Sequence, residues 1–169
     1  MSDTSMHSVD DEVADLGQSV VKLLRSGAAF TSESQAEENE AIYAVGHGMY
    51  EQGRYVEAFK VFSLLVIRNH LEPRYLFALG GACQMLGKYT EALQHYMAAA
   101  MGLDDDPLPI FHAAQCLIAT SHVDEARESL ELVLDICPEH QTSLRNRAQM
   151  LLDELQNTGA AEGATHEHH

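Results

Sequence analysis

Apolar residues recur along this chain in blocks with helical spacing. Ile42, Val45, Gly46 and Met49 stand at i, i+3, i+4 and i+7, and so do Leu76, Leu79, Gly80 and Cys83, then Ile110, Ala113, Ala114 and Leu117. Each set predicts one buried stripe on an amphipathic helix. A second block follows each first one: Ala58 with Phe62, Ala92 with Tyr96, Ala126 with Leu130. Gly53 and Gly87 fall between first and second blocks, so each pair of blocks predicts a helical hairpin with a short turn. The small residues Gly46/Ala58, Gly80/Ala92 and Ala114/Ala126 would let the two backbones approach closely, with Tyr55 and Tyr89 plugging the turn.

The blocks keep a period of 34 residues. Gly53-Arg54-Tyr55 and Ala58 return as Gly87-Lys88-Tyr89 and Ala92, and Pro73 returns as Pro107. A more worn copy, Ser121-His122-Val123 and Ala126, stays in register. An unrelated bundle of amphipathic helices would not hold so strict a period. The pattern resembles the tetratricopeptide repeat, with Ile or Leu where its tryptophan would stand and the proline displaced to the start of the next unit. There a proline suits the first helical turn, which needs no amide donor. The expected architecture is all-α, a tetratricopeptide-repeat solenoid of three helical hairpins over 39–72, 73–106 and 107–140, with flanking N- and C-terminal helices.

The flanks read as follows. Residues 1–9 are polar and expected to be disordered. Val13, Leu16, Val20, Leu23 and Leu24 mark an N-terminal helix within residues 10–38, stopped at Gly27. Ser34 and Glu37 have the spacing of a capping box for the first repeat helix. Leu144, Ala148, Leu151, Leu152 and Leu155 predict a capping helix over 141–156, covering the open end of the solenoid. Residues 157–169 are expected to form a flexible tail. The apolar face Val13, Leu16, Val20 and Leu23 has no obvious place in the repeat stack, and is assigned to a homodimer contact of the free protein.

Composition narrows the partners. Asp plus Glu number 26 against 10 Lys plus Arg, a formal net charge of −16, which opposes binding to nucleic acid or to an anionic membrane. No stretch approaches the roughly 18 apolar residues of a membrane span. The start Met1-Ser2-Asp3-Thr4 is not that of a secretory leader. Cys83, Cys116 and Cys137 are odd in number and form no CxxC, the usage of free thiols in a reducing compartment. A cytoplasmic location is the expectation.

Candidate chemistry is sparse. His112 and Cys116 stand at i, i+4 without a third orienting group, and Cys116 flanks the buried stripe, so catalysis is not expected. His166-Glu167-His168-His169 could chelate a metal, but terminal tracts of this kind bind adventitiously, and no metal or cofactor is assigned. Asp10-Asp11-Glu12 and Asp104-Asp105-Asp106 lack the central glycine and alternation of a calcium loop and read as solvated helix starts.

The remaining candidate is a binding face. In a solenoid of hairpins the first helices line a concave surface that receives extended peptides. Turned away from the buried stripe are Tyr43, His47 and Tyr50 in repeat one, Phe77, Gln84 and Met85 in repeat two, and Phe111, Gln115 and Ile118 in repeat three. Tyr43, Phe77 and Phe111 are equivalent positions that the repeat pattern does not require to be aromatic. They read as a ladder for apolar ligand side chains, or else as rings packed in the core. A clamp for a C-terminal carboxylate would need several cations there, and only Arg74 is near.

The segments Tyr50–Ala58, Pro73–Gln84 and Phe111–Leu117 resemble those of the class II chaperones of bacterial type III secretion, and the likeness runs over about residues 10–155. The resemblance implies a bacterial cytoplasmic protein that holds two different hydrophobic translocator proteins, keeping them soluble, apart and competent for export. It implies a concave groove that takes an extended, proline-containing segment, with Tyr43, Tyr50, Phe77 and Phe111 lining client pockets, and it implies dimers. The alternative on the same fold is a general peptide-binding adaptor or a co-regulator of secretion genes.

Overall fold

The computed structural model describes residues 32–103 and 105–164. The expectations for residues 1–9, for Val13, Leu16, Val20 and Leu23, and for the histidines at 166–169 lie outside the described residues. Within them the chain forms seven helices and no strand: α1 Ser32–Glu51, α2 Tyr55–Arg68, α3 Pro73–Met85, α4 Tyr89–Gly102, α5 Pro107–Ala119, α6 Val123–Ile136 and α7 Thr142–Ala164. Each helix packs on the next, and α1 also meets α3, so first helices of neighbouring hairpins adjoin.

The turn inside each hairpin is the same object made three times. Arg54 N–H donates to Met49 C=O, Lys88 N–H to Cys83 C=O and His122 N–H to Leu117 C=O, each at 2.9 Å. Such six-to-one closure requires one residue in the left-handed region. Gly53 (φ +77°) and Gly87 (φ +73°) supply it in the first two turns, and Ser121 (φ +63°) in the third. The connections between hairpins also repeat. Pro73 and Pro107 occupy the first helical turn, and the carboxylates of Glu72 and Asp106 accept the N–H groups of Arg74 and Leu108 at 3.3 and 2.9 Å. Ser34, read as the start of a capping box, lies within α1, which runs from Ser32.

Glycine sets the approach of the paired helices, but against a ring and not against a second backbone. A Cβ on Gly46 would stand 2.7 Å from Phe62 Cε1, and one on Gly80 3.0 Å from the Tyr96 ring. In the third hairpin Ala114 and Leu130 take these places, both buried in one cluster; the smaller partner admits a methyl group. The core divides into two clusters. One joins the first two hairpins with Ala113 and Cys116 of α5. The other joins Phe111 and Ala114 of α5 to α6 and to Leu144, Ala148, Leu152 and Leu155 of α7. Arg145 of α7 donates to Leu134 C=O at 2.8 Å and Cys137 C=O at 2.7 Å, satisfying carbonyls at the end of α6 that the helix leaves unpaired. The helix that closes the solenoid runs on to Ala164, past the boundary expected at 156.

Candidate functional site

The three first helices bring their outward faces to one hollow. Tyr43, His47 and Tyr50 of α1, Phe77, Ala78 and Gly81 of α3, and His112 of α5 line a pocket of about 150 Å³, with Phe62 of α2 and Tyr96 of α4 completing the lining. A cavity of that size holds a group about as large as benzene. Its walls are rings packed on rings. Phe77 lies 5.4 Å from Tyr96 and 5.5 Å from His112, and His112 stacks on Tyr96 at 5.2 Å. Tyr43 leans on Phe62 at 5.9 Å and on Tyr75 at 5.8 Å. The Tyr96 hydroxyl donates to Gln84 Oε1 at 2.7 Å, and Gln84 Nε2 donates to Gln115 Oε1 at 3.3 Å. This chain of amides ties α3, α4 and α5 together beside the pocket.

Comparison with known proteins fits this geometry. The tetratricopeptide repeat family matches residues 73–105. Low calcium response locus protein H of Yersinia pestis is 31% identical over 108 residues, 64% of this chain and 64% of that protein. The match thus spans a little under two thirds of the length of that relative. The crystal structure of the Yersinia enterocolitica type III secretion chaperone SycD, in complex with a peptide of the translocator YopD, superposes with a TM-score of 0.70 at 27% identity, covering 76% of this chain and 97% of that one. PcrH of Pseudomonas aeruginosa, in complex with the chaperone binding region of PopD, superposes with a TM-score of 0.69 at 29% identity, covering 76% and 96%. The chain is a homologue of low calcium response locus protein H with the fold of the type III secretion translocator chaperones.

On that translocator-chaperone fold the residues read from sequence separate into three groups. Tyr43, His47, Tyr50 and Phe77 meet at the pocket. Gln84 and Gln115 lie next to it, half-buried and engaged with one another. Met85, Phe111 and Ile118 line other parts of the molecule. Met85 is 49% exposed at the end of α3. Ile118 packs against the second cluster. Phe111 is a correction: it is 0% exposed, because α7 closes over it with the Arg147 guanidinium 4.7 Å from the ring centre. His112, one residue on, takes the place in the pocket that the 34-residue register assigned to Phe111. The sequence reading also missed Ala78, Gly81, Phe62 and Tyr96. Phe62 and Tyr96 were legible as the aromatic of the second repeat helix, but only as core.

The pocket is electrically quiet. None of its lining residues is Lys, Arg, Asp or Glu. Arg74, the cation singled out from the sequence, is bound to Glu40 at 2.5 Å and Glu72 at 3.2 Å and lies 5.6 Å from the Tyr43 ring centre, so it is not free to grip a carboxylate. Burial raises the hydroxyls of Tyr43 and Tyr50, and most of all Tyr96, above the usual tyrosine range. Burial, helped by the charge of Arg147 and opposed by Gln115, holds His112 below the usual histidine value. All these groups are therefore neutral at neutral pH. The Cys83 and Cys116 thiols are pushed up to about 11 by burial, so neither is a ready nucleophile, and the pair His112–Cys116 has no activated sulfur. Among the described residues no group of three or more His, Cys, Asp or Glu is arranged to hold a metal ion, and no helix is long and apolar enough to cross a membrane.

Proposed function

We propose that this protein is a cytoplasmic bacterial chaperone that holds hydrophobic type III secretion translocators by an extended segment laid along α1, α3 and α5. The observation that carries the reading is the ring-walled pocket between α1, α3 and α5, lined by no Lys, Arg, Asp or Glu, in a fold whose relatives SycD and PcrH hold translocator peptides. Chemistry and shape agree. An apolar side chain seated among Tyr43, Tyr50 and Phe77 leaves water without needing a counter-charge, which suits a client whose exposed apolar surface would otherwise aggregate. Sequestering that segment keeps two different translocators soluble and apart until export. The chain works by binding and not by catalysis. The free protein is a homodimer on this reading, as SycD has been seen in an alternative dimer.

Co-expression with full-length PopD tests the proposal. Wild type should hold PopD in the soluble fraction, while Phe77→Glu, which puts a charge among the rings that would receive an apolar side chain, should leave it in the pellet. Light scattering of the chaperone alone should read two chains. Insoluble PopD beside abundant wild type would overturn the assignment.

A further inference from the structure

Gly81 stands in the middle of α3, where glycine weakens a helix relative to alanine. Nothing in the packing asks for it. A Cβ there would meet the Tyr50 ring at 3.6 Å, an ordinary contact, whereas the same addition collides with Phe62 at Gly46 and crowds Tyr96 at Gly80. The turn geometry does not ask for it either, since the left-handed glycines are Gly53 and Gly87. What distinguishes Gly81 is its position. The register counterparts 34 residues before and after it are His47, which lines the pocket, and Gln115, which lies beside it. At Gly81 the side chain is missing and the pocket is open.

We propose that Gly81 is the specificity-determining residue of the groove: its missing side chain leaves the hole into which one uncharged apolar side chain of the bound segment, up to ring size, inserts between Tyr50, Phe77 and His112. The inference rests on the groove reading above and names what that groove selects. A methyl group at this position would point into the hole, shorten it and exclude the anchoring side chain. Packing theory then gives opposite signs for the two properties of one variant. Gly81→Ala should make the free protein more stable, because the helix gains and nothing collides. It should make the complex weaker, because the anchor is overpacked.

Gly48 provides the control. It lies in α1, a Cβ there would meet nothing within 4 Å, and it is not part of the pocket lining. The probes are synthetic peptides of the chaperone binding region of PopD and of the YopD segment, titrated into wild type, Gly81→Ala, Gly81→Ser and Gly48→Ala by calorimetry, with thermal melts of each free protein. The expected result is a Tm at or above wild type for Gly81→Ala and Gly48→Ala, with affinity reduced about tenfold or more only for the two Gly81 variants. Alanine scanning of the peptide should find one apolar position whose loss weakens wild type strongly and Gly81→Ala little. Equal affinity of Gly81→Ala and Gly48→Ala for peptides that wild type binds overturns the role of Gly81 alone. A lower Tm for Gly81→Ala also overturns it, since the position is then not open. Failure of wild type to bind either peptide overturns the groove reading and this inference with it.

Discussion

Phe77 and Phe111 carry the same side chain at equivalent positions of successive repeats, yet one ring walls the pocket and the other is sealed beneath α7. The difference is decided by what covers each ring. Phe77 faces His112 of the next first helix, which leaves an opening; Phe111 faces the terminal helix, whose Leu144 and Ala148 fill the space. Truncating Phe111 to alanine should therefore cost about 3–5 kcal/mol of folding stability, read from urea unfolding. Loss of less than about 1 kcal/mol would contradict its burial. His112 makes a second prediction at this scale. Its folded value lies below the ordinary 6.5 because burial disfavours the charged ring. As pH falls through about 6.5 the unfolded chain takes up a proton that the folded chain refuses, so stability declines towards the folded value. His95, lowered by burial as well, acts in the same direction. Melts between about pH 7.5 and 5.5 should show Tm falling with acidity, and His112→Phe should flatten part of that slope. An unchanged slope would show that His112 titrates normally in the folded protein.

At the scale of the helical hairpin, much was legible because the forces involved are local. Stripes at i, i+3, i+4 and i+7, a glycine at the first two turns and a proline at the start of the second and third hairpins are statements about neighbouring residues, and the helices follow them. What was not legible depends on neighbours distant in sequence. The closeness of α1 to α2 depends on the Phe62 ring lying over Gly46, and the choice between Phe111 and His112 at the pocket depends on where α7 closes. The third turn shows how far a worn repeat can drift while its geometry holds. Ser121 adopts φ +63° with the same hydrogen bonds as the glycine turns. A side chain in the left-handed region is strained, so Ser121→Gly should stabilise the protein by about 0.5–1 kcal/mol, seen as a raised Tm. A lowered Tm would mean that the hydroxyl contributes more than the strain costs.

At the scale of the molecule, charged side chains are kept out of the pocket lining. The net charge of −16 comes from side chains outside the pocket, whose lining holds no Lys, Arg, Asp or Glu. Like charge on the outer surface opposes association with nucleic acid and other anionic surfaces. The most direct measurement of this account is the map of backbone amide shifts when the isotope-labelled protein is titrated with the PopD chaperone binding region. The account predicts large shifts at Tyr43, Tyr50, Phe77, Gly81 and His112, on three different helices. The exposed apolar residues Val56, Ile67 and Met101 outside the pocket should stay still. Shifts concentrated at Val56, Ile67 and Met101, with the five pocket positions unmoved, would contradict it.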